Sequence, residues 1–360
     1  MDLSTSIGGI SLKNPIMPAS GPLVSSYEKM IALEKMGVSC IVSKTISKEA
    51  AKVPRPCIIG DNNSIYNAEL WSEYPFEFWL SDILPKLKKN LKVPLIISAG
   101  YTKEDMEFLI PRLDEFADAF EISTHYIGKE LNVIGDTVKT ITNLTKKPVF
   151  IKISPHITDV LEFARVVREN KAAGIVAINS LGPGMKIDLK NRRVLVGNDK
   201  GELWISGPSI KPIALAIINR IKRFMPDFTV IGVGGIKNAE DVLEFLLAGA
   251  DAVQILSSAM LMGKQIYEKI IEDLPIALEK YNFSSVKDVI KTSLEIPLVK
   301  FEPSYPKIDK NKCILCGLCE KICPYFALNV DKEVYIDYKK CFGCGLCQSK
   351  CPAKAISAVF

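Results

Sequence analysis

Eight of the chain's ten cysteines lie between Cys313 and Cys351. They fall in two runs, CILCGLCEKICP at 313–324 and CFGCGLCQSKCP at 341–352, each spaced C-x2-C-x2-C-x3-C-P. Three thiolates at this spacing wrap one face of a [4Fe–4S] cubane, and the fourth cysteine reaches across to the other cluster. Cys313, Cys316, Cys319 and Cys351 are therefore expected to hold one cluster, and Cys341, Cys344, Cys347 and Cys323 the second. Two zinc knuckles would explain cysteine pairs but not the full pattern found twice. Each cubane with its four thiolates carries about −2, so two of them lower the formal charge of +5 to about +1. Such clusters pass single electrons and offer no place for a substrate. The substrate chemistry must lie upstream.

The whole chain has 360 residues, 48% of them hydrophobic and 24% charged, which is the composition of a folded protein of about two compact units. Its 46 basic residues are spread along the chain, which argues against nucleic-acid binding. Only two histidines occur, His125 and His156, so a site needing several imidazoles is excluded. The start, MDLSTSIGG, lacks the apolar stretch of a leader. The most apolar segment, Val242 to Met262, is interrupted by Glu244, Asp251 and Gln254, so no membrane span is expected. Clustered cysteines used as ligands rather than in disulfides fit a reducing, cytoplasmic setting. The proline-containing linker FEPSYPK at 301–307 places a boundary near residue 300, giving units 1–300 and 301–360.

In the first unit, short Val/Ile-rich runs alternate with amphipathic segments. The expected strands are Ile16 to Ala19, Cys40 to Ser43, Leu95 to Ser98, Ala119 to Ile122, Val149 to Ile153, Ile175 to Asn179, Val230 to Val233 and Ala252 to Ile255. Helical patterns such as Val160 to Lys171, Ile210 to Arg223 and Ala239 to Leu247 separate them. Eight β/α units in about 260 residues predict an α/β fold, a TIM (β/α)8 barrel, with a doubly wound sheet as the alternative. The strand ends carry small or polar residues throughout, and in a barrel these ends share one rim where active sites sit. The glycines of GVGGI after the seventh strand, with Asn238 at a helix start, and Ser257 and Ser258 after the eighth form a candidate phosphate site.

The segments NPIMPASG at 14–21, SKT at 43–45, FIKISP with Lys152, INS at 178–180 and SGPSIKPIAL at 206–215 resemble the FMN-dependent dihydroorotate dehydrogenases and the related dihydropyrimidine dehydrogenases. The resemblance runs from about residue 5 to 265. MKIDLKNRRVL at 185–195 is similar to dihydroorotate enzymes that pass electrons to an iron–sulfur partner. NAELWSE at 67–73, SPHITD at 154–159 and the fused two-cluster ferredoxin are similar to the dihydropyrimidine group.

This resemblance implies FMN on the barrel rim. Lys152 would stabilise negative charge on the flavin's N1–O2 edge, and Lys44 would lie between flavin and substrate. Ala19, Ser20, Gly21, Thr45 and Ser98 match flavin-holding positions. So do Asn179, Gly207, Gly234, Gly235, Ser257 and Ser258. Asn67, Glu69, Glu121, Asn179 and Ser180 are the candidate contacts to a pyrimidine's imide edge, although Asn67 also suits a turn and Glu69 an exposed acid. The acid/base falls on Thr124, at the place where those families have cysteine or serine, with His125 and Tyr126 as neighbours able to compete. Glu121 replaces an asparagine, which puts a carboxylate near the flavin. Cys40 and Cys57 have no ligand-spaced partner and read as structural.

The function implied is oxidation or reduction of a ring CH–CH bond of a pyrimidine. The two clusters relay electrons to an external redox protein, either an FAD/NAD(P)H-dependent subunit or a soluble carrier, because the chain lacks a dinucleotide fingerprint. A homo-oligomer is expected from the resemblance. Glu69 and Glu121 favour a substrate without orotate's carboxylate. The competing readings are an electron-transfer module without substrate chemistry of its own and an RNA dihydrouridine synthase.

Overall fold

The computed structural model describes residues 1–100, 102–123, 130–297 and 301–360. The chain divides into two compact units, Met1–Leu294 and Glu295–Phe360, so the division falls slightly before the expected residue 300.

The first unit is built on eight parallel strands: β1 Ile16–Pro18, β2 Ile41–Val42, β3 Leu95–Ala99, β4 Ala119–Ser123, β5 Val149–Lys152, β6 Gly174–Ala177, β7 Thr229–Val233 and β8 Ala252–Ile255. Their order in the sheet is β1-β8-β7-β6-β5-β4-β3-β2. Sequential neighbours with β8 returning to β1 make a TIM-like barrel and exclude the doubly wound alternative, whose strand order reverses partway. Between β1 and β2 the ladder is replaced by the Ser39 N–H donating to Ile16 O at 3.0 Å, with the Ser39 hydroxyl donating to Asn14 O at 2.6 Å.

The connections are helical: α1 Tyr27–Lys35, α2 Leu84–Asn90, α3 Lys103–Leu113, α4 Leu131–Leu144, α5 Val160–Glu169, α6 Lys211–Phe224, α7 Ala239–Leu247, the short α8 Ser257–Met262 and α9 Ile266–Lys280. Their starts follow ordinary capping chemistry. Asp159 accepts N–H bonds from Leu161 and Glu162, and Asn238 accepts one from Asp241, as its place before α7 predicts. Apolar positions of α5, Val160, Phe163, Ala164 and Val167, recur at helical spacing and are buried against the barrel.

Strand alternation fills the inside. Met17, Val42, Ile96, Ala119, Phe150, Val176, Ile231 and Ala252 point inward, and Ile7 and Leu12 of an N-terminal hairpin (5–7 paired with 10–12) join the same cluster. Two residues further along β3, β4, β5 and β8 the inward position is polar: Ser98, Glu121, Lys152 and Gln254, all buried. The apolar core thus ends at one polar layer. Above it lies an antiparallel four-stranded sheet, ordered Leu181–Gly184, Leu203–Ser206, Ile65–Asn67 and Ile58–Gly60, that no reading of the sequence anticipated.

The second unit is a small α+β repeat. Each cysteine run contains a short helix, Leu318–Lys321 or Leu346–Lys350, and two-stranded pairings, 307–308 with 356–357 and 328–330 with 334–336, tie the unit together.

Candidate active site

The polar layer of the barrel is a closed ring of hydrogen bonds. Lys152 Nζ donates to Glu121 Oε1 at 3.1 Å and to Gln254 Oε1 at 3.2 Å, while Gln254 Nε2 donates to Glu121 Oε2 at 2.6 Å. Burying an ammonium and a carboxylate is tolerable only in such a paired, hydrogen-bonded arrangement. Lys152 and Gln254 border a cleft above the layer, whereas Glu121, 1% exposed, lies beneath it.

The cleft encloses about 1100 Å³ including its open mouth. On one side stands Lys44, 2% exposed, whose Nζ donates to Glu69 Oε1 at 2.8 Å and Glu73 Oε2 at 2.7 Å. Burial pushes the Glu69 carboxyl above the ordinary carboxylate range against the pull of Lys44. At Glu73 burial acts in the same sense and is the largest single influence, but the hydrogen bond and charge of Lys44, a backbone hydrogen bond and the charge of Lys29 together outweigh it and hold the group low. The acidic segment is held in place by Ser72, whose N–H donates to Thr45 O at 3.0 Å and whose hydroxyl accepts from Trp79 Nε1 at 2.8 Å.

Hydroxyls line the floor beside Lys44. Thr45 Oγ1 shares hydrogen bonds with Ser20 Oγ at 3.2 Å and Ser98 Oγ at 2.9 Å. Across the cleft, Asn179 Nδ2 donates to Ser123 Oγ at 3.1 Å, and its Oδ1 accepts from the Ser180 N–H at 2.8 Å. Asn67 borders the cleft and also makes a turn, its Oδ1 accepting the Glu69 N–H at 2.7 Å.

The far end is built of glycines and serines. Gly234 and Gly235 have φ of +128° and +89°, and a Cβ on Gly235 would stand 2.7 Å from Gly207 O and 2.9 Å from Pro208 Cα. Main chain packed that tightly leaves its own amides as the surface offered to a ligand. Ser206 and Ser257 share a hydroxyl–hydroxyl bond of 2.7 Å, and the buried Ser258 Oγ has no partner among the described residues. An orphaned buried hydroxyl beside a glycine cradle and next to a serine pair fits a phosphate group. A lysine in the polar layer fits the electron-rich edge of a reduced flavin. The residues present therefore suit FMN.

Of the residues expected here, Ala19, Ser20, Gly21, Lys44, Thr45, Asn67 and Glu69 border the cleft. So do Lys152, Asn179, Ser180, Gly234, Gly235, Ser257 and Ser258. Three expected contacts are displaced from it. Ser98 sits behind Thr45 and orients it, Gly207 backs Gly235 with its carbonyl, and Glu121 is turned into the barrel because its strand position alternates inward toward Lys152. Thr124, together with His125 and Tyr126, lies outside the described residues. Gln254, Trp204, Ser206 and Glu73 were not anticipated. Gln254 carried a signal, a lone amide in the apolar strand AVQI. The others sit on excursions whose pairing is set by distant chain.

In the second unit the cysteines ring two apolar cavities. Cys313, Cys316, Cys319 and Cys351 border one; Cys323, Cys341, Cys344 and Cys347 border the other, with Cys347 touching both. Four cysteines at each cavity, matching the spacing of the two runs, suit two iron–sulfur clusters. Burial raises the Cys319 and Cys347 thiols, and neighbouring cysteine charges add to it. Iron binding removes that penalty, since the metal takes the thiolates' charge. The Ala327 N–H donates to Cys323 Sγ at 3.4 Å, and the Ala355 N–H donates to Cys351 Sγ at 3.3 Å. Both amides are aimed by a preceding residue in the left-handed region, Phe326 (φ +49°) and Lys354 (φ +48°).

Residues 2–278 match the family model described as dihydroorotate dehydrogenase, and residues 312–355 match a 4Fe-4S dicluster domain. The dihydroorotate dehydrogenase B (NAD(+)) catalytic subunit of Pyrococcus abyssi is 32% identical over 305 residues, covering 82% of this chain and 100% of the relative. The subunit of the same name from Oceanobacillus iheyensis is 33% identical over 311 residues, covering 81% and 98%. That from Listeria welshimeri is 33% identical over 304 residues, covering 80% and 97%. The chain belongs to the dihydroorotate dehydrogenase family of FMN-dependent oxidoreductases, and carries a 4Fe–4S ferredoxin-like domain after its barrel.

Proposed function

We propose that the barrel oxidises or reduces a ring carbon–carbon bond of a pyrimidine beside bound FMN, and that two [4Fe–4S] clusters carry single electrons to an external redox protein. FMN supplies hydride exchange and splits the electron pair for one-electron carriers. Lys152 holds the charge that reduction places on the flavin's N1–O2 edge, and Ser257, Ser258 and the amides of Gly234 and Gly235 hold the phosphate. Asn67, Asn179 and Ser180 meet the imide edge of the substrate, while Thr124 is the residue assigned to proton transfer. Four cysteines at each of two cavities support the two-cluster count. Thiolate ligation requires a reducing setting such as the cytoplasm, and among the described residues no helix is long and apolar enough to cross a membrane.

The observation that carries the substrate reading is the compensation of both cleft lysines: Lys44 by Glu69 and Glu73, Lys152 by Glu121. A ring bearing a carboxylate would sit where the nearby charges are three carboxylates, one of them beneath the cleft, against two ammonium groups, so a neutral ring of the uracil type is favoured. The relatives' own names favour dihydroorotate as the second reading. Anaerobic mixing of the flavin-loaded protein with dihydrouracil, dihydrothymine and dihydroorotate tests this. Fastest loss of flavin absorbance with a neutral ring is the expected result, and fastest loss with dihydroorotate establishes the second reading. Loss with none of them, while a reduced one-electron carrier still bleaches the flavin, overturns both in favour of a relay.

A further inference from the structure

The ring beneath the cleft contains a charge that the proposed chemistry does not call for. Holding Lys152 in place needs hydrogen-bond acceptors, and amides would serve, as Gln254 Oε1 does at 3.2 Å. Instead the second acceptor is the carboxylate of Glu121, 3.1 Å from Nζ and 1% exposed. Its other oxygen is taken by Gln254 Nε2 at 2.6 Å, so the carboxylate is fixed within the polar layer, behind the residues that border the cleft. The strands that carry the ring are paired with partners on both sides, β4 with β3 and β5, and β8 with β7 and β1, so the spacing is rigid.

We propose that Glu121 sets the potential of the bound flavin, lowering it by offsetting the positive charge that Lys152 presents to the cleft. The inference rests on the reading of the cleft as an FMN site. Two-electron reduction of the ring, by hydride from the substrate, leaves one negative charge on it unless a second proton is taken up. That charge is attracted by Lys152 and repelled by the carboxylate directly behind it. Inside a water-poor barrel the repulsion is weakly screened, so the oxidised ring gains relative to the reduced one. Gln254 adds no charge; it holds the carboxylate at 3.1 Å from Lys152 Nζ. A low-potential flavin is the kind suited to exchanging electrons with 4Fe–4S clusters, whose own potentials are commonly low. Glu121 acts through Lys152 and is a positioning residue rather than a catalytic one.

The test uses the full-length protein loaded with FMN and reduced anaerobically against reference dyes. Glu121→Gln and the shorter Glu121→Asn are expected to bind FMN in full, to shift its midpoint to a more positive value, and to tighten the flavin–sulfite complex about tenfold, since that complex also places negative charge on the ring. Gln254→Leu disturbs the ring without changing its charge, and is expected to move the midpoint far less. Unchanged or more negative midpoints in both Glu121 variants overturn the inference, as does a Gln254→Leu shift as large as theirs, which would make the role structural. Failure of the unsubstituted protein to bind FMN overturns the functional reading itself, and is recognised before any variant is compared.

Discussion

The barrel cleft and the cysteine domain both present a ligand with fixed donors, but they fix them in opposite ways. In the barrel, outside the glycine cradle, the donors are side chains held by partners from distant strands: Gln254 reaches Glu121 across 133 positions of sequence, and Lys152 reaches Gln254 across 102. Each buried charge has an opposite charge in hydrogen-bond contact. In the cysteine domain, the amide that steadies a ligand sulfur lies four residues from it, and it is the main chain that bends to deliver it. The first site is only as good as the whole barrel, while the second is made by turns and becomes complete when iron arrives. A substitution in the barrel should therefore alter affinity and tuning, and one in the cysteine domain should gain or lose a cluster outright.

The largest effect is expected from Cys347→Ser, at the thiol bordering both cavities. Iron and sulfide content should fall by at least about half, with electron delivery to an acceptor protein lost. FMN content and its reduction by substrate should persist; their loss would break the contrast, because it would make the barrel depend on the clusters. Next is Gly235→Ala. The new Cβ meets the Gly207 carbonyl at a backbone angle that alanine resists, which should weaken FMN binding by roughly tenfold to a hundredfold, measured by fluorescence titration. Cluster content should not change. The smallest is Lys354→Gly, which relieves a positive φ at an exposed residue and should raise the denaturant stability of the cysteine domain by about 0.5–1 kcal/mol. A destabilised Lys354→Gly protein would show that the left-handed turn is held by side-chain contacts rather than merely tolerated.

The same contrast governs how much could be read without coordinates. The 4Fe–4S domain was legible because its cysteine spacing is written within two short runs, and the eight strands were legible because Val/Ile runs recur at β/α spacing. Their ends move by a residue or two, as with β6, expected from Ile175 to Asn179 and found at Gly174–Ala177. Lys44, Lys152 and the glycine–serine end were reached through motif resemblance. The ring was not. Nothing local says that Glu121 faces inward to Lys152 instead of upward to a substrate, since that depends on strand alternation relative to β5 and β8. The four-stranded sheet was also missed, because its strands have only three or four residues, and Leu181–Gly184 contains a Gly-Pro pair that reads as a turn.

The seam between β1 and β2 gives the cleft one soft side. Ala19 and Ser20 follow one edge of it and Lys44 and Thr45 the other, and between the two edges runs the Ser39 hydrogen bond where other neighbours have ladders. A cylinder slit along one line should open there first, so amide exchange at Ser39 should outpace that of the laddered strands.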